Sequence, residues 1–476
     1  MIELRIDELA AVLRARLVPS TRSGATPGAS PTVTQVMTDS RVPSDGPAIF
    51  FALRTPRADG HAHVASAAAA GAVVAVVEDE SATDAAAPVL ARLVVDDAWS
   101  ALGRLGRHVA DEVGCRVVAV TGSYGKTTVK DLAAAAFGCD RTVAASHGSF
   151  NNELGVPLTL LGVTRGVEVL IAEAGARNAG DIDLLGALLR PDIAIVTAVG
   201  PVHLETFGDE EGVASEKSRL VAALRSTGTA VLNADDPRVA GMASLAPRAV
   251  TVSAAGGAAD LSAHDVRIDD AGRVRATVAT PWGEVEVALP LPGAHHLTNA
   301  LLALAAAGVD GVDIVRAAAA MSTARTSPSR AALHRVAGVT VLDDAYNASP
   351  PTMLGALRTL ASLPSSGRRW AVLGLMAELG PGAHDEHVAV GRACTDGVDE
   401  LVVVGDAAEG IAEGAEAGGL GPRIHRVDDH AGAAALLASA VGQGDVVLFK
   451  ASRVATLDVA AATLLADLGA REGATA

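Results

Sequence analysis

VVAVTGSYGKTTVKDLAAAAF, Val117 to Phe137, is a strand, a turn and a helix in twenty-one residues. Val117 to Val120 is a short β-branched apolar run suited to a buried parallel strand, and from Thr128 onward the composition is helical. Between them lies Thr121-Gly122-Ser123-Tyr124-Gly125-Lys126-Thr127-Thr128. Glycines in such a turn let backbone N–H groups curl around phosphate oxygens, and the helix N-terminus adds partial positive charge. Lys126 is placed to reach β- and γ-phosphates, and the Thr127 hydroxyl to ligate Mg²⁺. The spacing is a variant: the usual loop has Gly where this chain has Val120.

Outward from this loop, the chain is too long for one core. At 476 residues, and with roughly 150 residues per domain as a prior, it predicts three domains. The expected boundaries are 1–107, 108–324 and 325–476. Half of the residues are hydrophobic, but only 2% are aromatic. Gly, Pro or charge breaks every apolar run before the roughly 18 residues of a membrane span. The acidic residues in MIELRIDELAAVLRARL predict a folded strand and helix rather than a signal peptide. Cys115, Cys139 and Cys394 have neither metal-ligand spacing nor an even count, which fits a reducing compartment, so a cytoplasmic protein is expected. A net charge of −17 argues against a nucleic-acid surface and leaves nucleotide phosphates as the expected anions.

The first segment alternates short strands and helices, with a Pro/Gly/Ser/Thr-rich loop from Pro19 to Pro31. Asp39, Ser40 and Arg41 fit a loop that holds a sugar phosphate, or equally an Asx-type turn with a surface Arg. From Arg116 to Ala324, strands and helices alternate as in a doubly wound parallel sheet. The strand in VEVLIAEAGARNAGDIDLL ends at Glu173, either a Mg²⁺ ligand facing the crevice or a solvated strand-end acid. The strand that begins at Pro191 is expected to end near His203, with Lys217 on the following helix. Alone, these two read as a loop histidine and a solvated charge; their place one strand after Glu173 favours a site. Asn299 falls in the first turn of an Ala/Leu helix, where it either reaches a base edge or bonds the backbone. After Arg325 to Ser329, βα units repeat. Asp343, Asp344, Asn347, Lys450, Ser452 and Arg453 fall at strand ends, a second ligand edge without a phosphate loop of its own.

Taken together, TGSYGKTT, FNNELGVPLTLL, EAGARNAGDI, VGPVHLETFG with Lys217 downstream, and DDAYNASP resemble the motifs of the Mur ligases. These are ATP-dependent amide-forming enzymes of peptidoglycan precursor assembly, and the resemblance runs from about residue 5 to residue 458. It implies an α/β chain of three domains: a small N-terminal domain for a uridine nucleotide, a central ATP-binding domain and a Rossmann-like domain for the acceptor. Gly122, Ser123, Gly125, Lys126, Thr127 and Thr128 would hold ATP; Thr127 and Glu173 one Mg²⁺; His203 and a carbamylated Lys217 a second. Asn299, Arg330 and Asp344 would contact adenine, phosphate and ribose, with Tyr346 and Asn347 beside them. Ser40 and Arg41 would meet the uridine nucleotide, and Asn151, Asn152, Ser349, Lys450, Ser452 and Arg453 the other substrates. The nearest motifs belong to the member that joins D-alanyl-D-alanine to a UDP-muramoyl tripeptide; no nucleic acid, no membrane span and a monomer are expected. A paralogous ligase with another acceptor, and a nucleotide-binding protein that has lost ligation, are the alternatives. Departures from the family motifs are Thr55, Ala174, His296, Ser329, Ser349, Leu375 and Ala451. They leave the phosphate and metal residues intact and fall largely around the adenine and acceptor loops.

Overall fold

The computed structural model describes residues 1–19, 32–80 and 90–475. The loop expected from Pro19 to Pro31 therefore lies, apart from Pro19, outside the described residues. The chain divides into two compact units: 1–119, 141–175 and 181–192 form one, and 120–140, 176–180 and 193–476 the other.

In the first unit a five-stranded sheet runs in the order Arg16–Val18, Ala91–Val94, Ala72–Val77, Ala48–Phe51, Gln35–Met37. Arg16–Val18 is antiparallel to its neighbour, and the other pairs are parallel. AVVAVV and AIFF are continuous apolar runs because both faces are covered. Ile49, Phe51, Val74 and Val76 face Leu9, Leu13, Leu102 and Leu105, while Phe50, Ala75 and Val77 face Val64 and Ala67. The helix Ala98–Val113 starts at Asp97, whose side chain accepts from Trp99 N, and stops at left-handed Gly114. Strands Val143–Ala145 and Val169–Glu173 of this unit pair in parallel.

The strand Arg116–Thr121 is shared by the two units, the division falling after Ala119. In the second unit, strands Ile193–Val196, Thr229–Asn233, Ala249–Ser253 and Leu261–Ile268 pair in parallel. The βα alternation expected as far as Ala324 stops there. Leu261–Ile268, Arg273–Thr280 and Gly283–Pro292 form an antiparallel meander. Buried residues alternate with exposed ones along Arg273–Thr280, the period-two signature of a strand buried on one face. The helix His296–Val309 that follows is buried on nearly every side, as its all-round Ala/Leu composition requires.

Residues 332–475 build a six-stranded sheet in the order Ala332–Val336, Val339–Asp343, Val446–Lys450, Arg369–Gly374, Glu400–Val404, Ile424–Val427. Only Ala332–Val336 is antiparallel. Met353, Leu360, Val390 and Ile411 cover one face, and Leu437, Leu464 and Leu468 the other, the doubly wound arrangement. Among the described residues no helix is long and apolar enough to cross a membrane.

Candidate active site

The phosphate loop is held by its neighbour in the second unit, the segment Thr197–Gly200. Ser123 N donates to Ala198 O at 2.8 Å, Gly200 N donates to Ser123 Oγ at 3.0 Å, and Thr197 Oγ1 donates to Tyr124 O at 2.5 Å. Two glycines are required by space as well as by backbone. Gly122 has φ +140° and Gly125 φ +83°, and a Cβ on Gly125 would lie 2.6 Å from Asn299 Oδ1. The helix begins at Lys126, two residues before Thr128, where helical composition sets in, because the loop closes directly onto its first turn. Lys126 Nζ folds over the loop and donates to Gly122 O at 2.6 Å and Ser123 O at 3.3 Å. Thr127 and Thr128 are buried beneath it.

The strand expected to reach His203 ends at Val196, and a bent connection carries the chain onward. Its backbone is spent on the phosphate loop, as above, and Val199 N donates to Asp236 Oδ2 at 2.7 Å. His203 takes left-handed φ (+53°) and opens the short helix Leu204–Phe207. Its Nδ1 meets the carboxylate of Glu378. Phe207 stands edge-on to His203 at 6.4 Å, and Lys217 Nζ lies 6.0 Å from the same ring. Lys217 is buried, on the inner face of the helix Glu210–Ala222. Burial lowers the His203 pKa, and Lys217 and Lys126 add to that shift while Glu378 opposes it. Lys126, His203 and Lys217 thus share one electrostatic neighbourhood.

A second cluster gathers at the carboxyl ends of Val339–Asp343 and Val446–Lys450. Lys450 Nζ pairs with Asp344 and donates to Asn347 O at 3.1 Å. Ala331 N donates to the other Asp344 oxygen at 3.1 Å. The Arg330 guanidinium lies 4.0 Å above the Tyr346 ring and that of Arg453 5.5 Å from it, a cation–π stack that presents two positive charges together. Ser329, where the family has Gly, keeps left-handed φ (+54°) and donates its Oγ to Asp343 Oδ2 at 2.8 Å. Burial raises the Asp343 pKa. Ser452 Oγ accepts from Ala377 N at 2.8 Å and so ties this edge to the loop after Arg369–Gly374. Ser349 is buried at the start of the helix Pro350–Ser362, its N donating to Thr352 Oγ1 at 2.9 Å.

Asn299 sits between the loop and a pair of imidazoles, buried His296 and exposed His295. Its Nδ2 is 3.2 Å from His296 Nδ1, and the rings of His295 and His296 are 4.1 Å apart. Burial drives the His296 pKa well below its ordinary value.

In the first unit, Glu173 is fully buried at the end of Val169–Glu173, with Asn151 Nδ2 at 3.5 Å from Oε2. Asn152 Oδ1 accepts from Gly155 N at 2.9 Å, where the helix Gly155–Leu161 begins. Residues 39–41 form an Asx turn. Arg41 N and Nε both donate to Asp39 Oδ1, on an exposed loop, and the guanidinium holds the Asp39 carboxyl at about 2. Sequence reasoning passed over His295 and Glu378 as site residues. Their signals were modest: a doubled His before an Ala/Leu helix, and one acid in the LMAELG turn.

A doubly wound domain with a pinned Gly-Lys-Thr-Thr loop, followed by a second α/β domain carrying Arg330, Asp344 and Lys450, is the organisation of an ATP-dependent ligase. Residues 120–307 match the Mur ligase middle domain, and residues 329–453 the domain described as Mur ligase, glutamate ligase domain; the chain belongs to the Mur ligase family. Within it, the chain is 41% identical over 468 residues to the UDP-N-acetylmuramoyl-tripeptide–D-alanyl-D-alanine ligase of Mycobacterium tuberculosis, covering 90% of this chain and 91% of that protein. The enzyme of the same name from Bacillus subtilis is 33% identical, with 85% and 87% covered. The crystal structure of MurF from Acinetobacter baumannii superposes with a TM-score of 0.86 at 27% identity, covering 98% of this chain and 99% of that one. MurF from Thermotoga maritima, solved in complex with ADP, gives 0.80 at 28% identity, with 92% and 98% covered.

Proposed function

We propose that this chain joins D-alanyl-D-alanine to UDP-N-acetylmuramoyl-tripeptide with conversion of ATP to ADP and phosphate, as an amide ligase of peptidoglycan precursor synthesis. The observation that carries this reading is the phosphate loop, with Lys126 folded into it and Asn299 against Gly125, in a chain that aligns along nine-tenths of its length with enzymes of that name. ATP's γ-phosphoryl would pass to the tripeptide carboxylate, and the amine of the dipeptide would attack the acyl phosphate and displace phosphate. Catalysis of this kind rests on positioning and charge, with Lys126 stabilising the transferred phosphoryl.

The donor set fits Mg²⁺. Thr127 and Glu173 offer hard oxygen ligands, and a carboxylate buried at the end of an apolar strand favours a cation. Among the described residues no three His, Cys, Asp or Glu side chains form a ready cage; Mg²⁺ is commonly held by one or two carboxylates with waters and substrate phosphates. Thr127 and Glu173 would hold one ion, His203 and Lys217 the second, with Lys217 carbamylated so that a buried ammonium becomes an oxygen ligand. The metal supplies charge neutralisation on the phosphates.

We assign residues 1–107 to the uridine nucleotide, 108–324 to ATP and 325–476 to the acceptor, in a cytoplasmic monomer. Arg330, Asp344, Tyr346 and Asn347 would close on the nucleotide, and Lys450, Ser452 and Arg453 would face the acceptor. Leu375 and Ser349 each stand where the family motif has a stronger polar group. A site that loses a hydrogen-bonding group discriminates less, by roughly 1–3 kcal/mol per group. D-alanyl-D-alanine should therefore be used with less rejection of D-alanyl-D-lactate than in relatives with the usual motif. Phosphate release with UDP-muramoyl tripeptide and a panel of D-configured acceptors tests both points. No release with D-alanyl-D-alanine would remove the assignment, and strict rejection of every other acceptor would remove the relaxed-selectivity claim.

A further inference from the structure

Glu378 belongs to the C-terminal α/β domain yet meets a residue of the middle one. It sits in the loop after Arg369–Gly374, and its carboxylate contacts Nδ1 of His203. Three bonds fix that loop from behind. Met376 N donates to His387 Nε2 at 2.9 Å, Ala377 N to Ser452 Oγ at 2.8 Å, and Ser452 N to Leu375 O at 2.8 Å. Beyond Glu378, a Cβ on Gly380 would come within 3.6 Å of Glu205 Cγ and 3.7 Å of Glu205 N, in the short helix that His203 opens. Glu378 itself takes left-handed φ (+64°), a conformation that costs a non-glycine residue strain and persists only where its surroundings impose it. The pair contributes little to stability, since the Glu378 side chain is 47% exposed.

A histidine that ligates a metal usually gives its other ring N–H to a carboxylate or carbonyl, which fixes tautomer and ring orientation. We propose that Glu378 is a positioning residue for His203: it holds the proton on Nδ1 and leaves Nε2 as the ligating atom. It would thereby make the middle domain's metal site depend on docking of the C-terminal domain's acceptor loop. This rests on the reading of His203 as a Mg²⁺ ligand. Leu375 and Glu378 are three residues apart on the same loop, whose backbone the bonds from Ser452 hold.

The test uses the full chain and three variants, Glu378→Ala, Glu378→Gln and His203→Ala. Nitrogen NMR of labelled histidine reads the His203 tautomer without metal, and Mn²⁺, as a Mg²⁺ substitute, is titrated with ATP analogue present. The expected result is an Nδ1–H tautomer in the wild type and in Glu378→Gln, whose amide oxygen still accepts, and a mixture in Glu378→Ala. Mn²⁺ affinity should fall roughly 10–100-fold in Glu378→Ala and be largely restored in Glu378→Gln, with unchanged melting temperature. If His203→Ala binds Mn²⁺ as the wild type does, the underlying ligand assignment fails. If His203→Ala weakens binding while Glu378→Ala changes neither tautomer nor affinity, the positioning role alone is overturned.

Discussion

Replacing Gly122 with Ala tests the phosphate loop at its tightest point. The residue's φ of +140° lies in a region essentially reserved for glycine, and an added Cβ would fall 2.0 Å from Thr197 Oγ1 and 3.1 Å from Ala198 N and O. Thr197 cannot move away freely, because its hydroxyl donates to Tyr124 O. Backbone strain of about 1–3 kcal/mol and loss of that hydrogen bond at about 1 kcal/mol give about 2–4 kcal/mol against the native loop. For a domain of some 200 residues this corresponds to a melting temperature lower by roughly 4–16 °C. An ATP analogue, which requires the native loop, should bind at least about tenfold more weakly, since about 1.4 kcal/mol is a factor of ten. Calorimetric melting and fluorescence titration measure the two effects. Thr197→Ala alone should cost only the hydrogen-bond part, and Thr197→Ala added to Gly122→Ala should relieve the steric clash but not the strain, recovering part of the loss. A Gly122→Ala protein that melts within 1 °C of the wild type, on the scale of roughly 2–4 °C per kcal/mol, and binds nucleotide normally would refute this account of the loop.

Three further outcomes are expected. Lys126→Ala should abolish ligation while leaving the melting temperature near that of the wild type, because water can replace Nζ on the loop carbonyls of Gly122 and Ser123; retained turnover would count against the site. Lys217→Ala should be nearly inactive and partly rescued by short carboxylic acids, which replace the carbamate oxygen; full activity of the variant in carbon-dioxide-free buffer would rule carbamylation out. Buried His296 should make the protein acid-labile. The unfolded chain takes up a proton that the buried ring refuses, so stability is intact above about pH 6.5 and falls as the pH drops below it. Urea unfolding at pH 7.5 and pH 5 measures the loss; a pH-independent midpoint would contradict the burial of His296.

Residues whose chemistry depends on local chain geometry were legible in the sequence. Lys126, Thr127 and Glu173 follow apolar runs that could only be buried strands, and the structure puts each at a strand end or helix start. The two outer strands of the C-terminal sheet, Ala332–Val336 and Ile424–Val427, were not legible. Edge strands need only a half-buried face, and ALHRV and IHRV lack an apolar run. The antiparallel meander was likewise read as part of a βα alternation, although its period-two pattern is plain once the exposed face is known. The six residues between Val196 and His203 look like a strand by composition, yet hydrogen bonds to the phosphate loop and Asp236 take up the backbone of Thr197 to Gly200. Glu378 was invisible for a different reason: its partner is 175 positions away, and no pattern in the LMAELG turn announces a histidine on another domain.

The departures in the acceptor loops acquire a physical meaning from that last contact. Leu375 was singled out because it replaces an acid, which suggests a change in what the acceptor site recognises. Its carbonyl, however, accepts from Ser452 N, and Ser452 Oγ in turn accepts from Ala377 N, one residue before Glu378. The backbone of this loop is therefore tied to the Lys450–Arg453 edge whatever side chain stands at 375. A substitution such as Leu375→Asp can alter selectivity through its side chain without moving Glu378, whereas Ser452→Ala releases Ala377 N and loosens the Glu378–His203 contact. Leu375→Asp should therefore change the ratio of acceptors used at unchanged metal affinity, and Ser452→Ala should lower metal affinity. A change in metal affinity on Leu375→Asp would mean that the loop moves as one piece and that selectivity and activation cannot be varied independently.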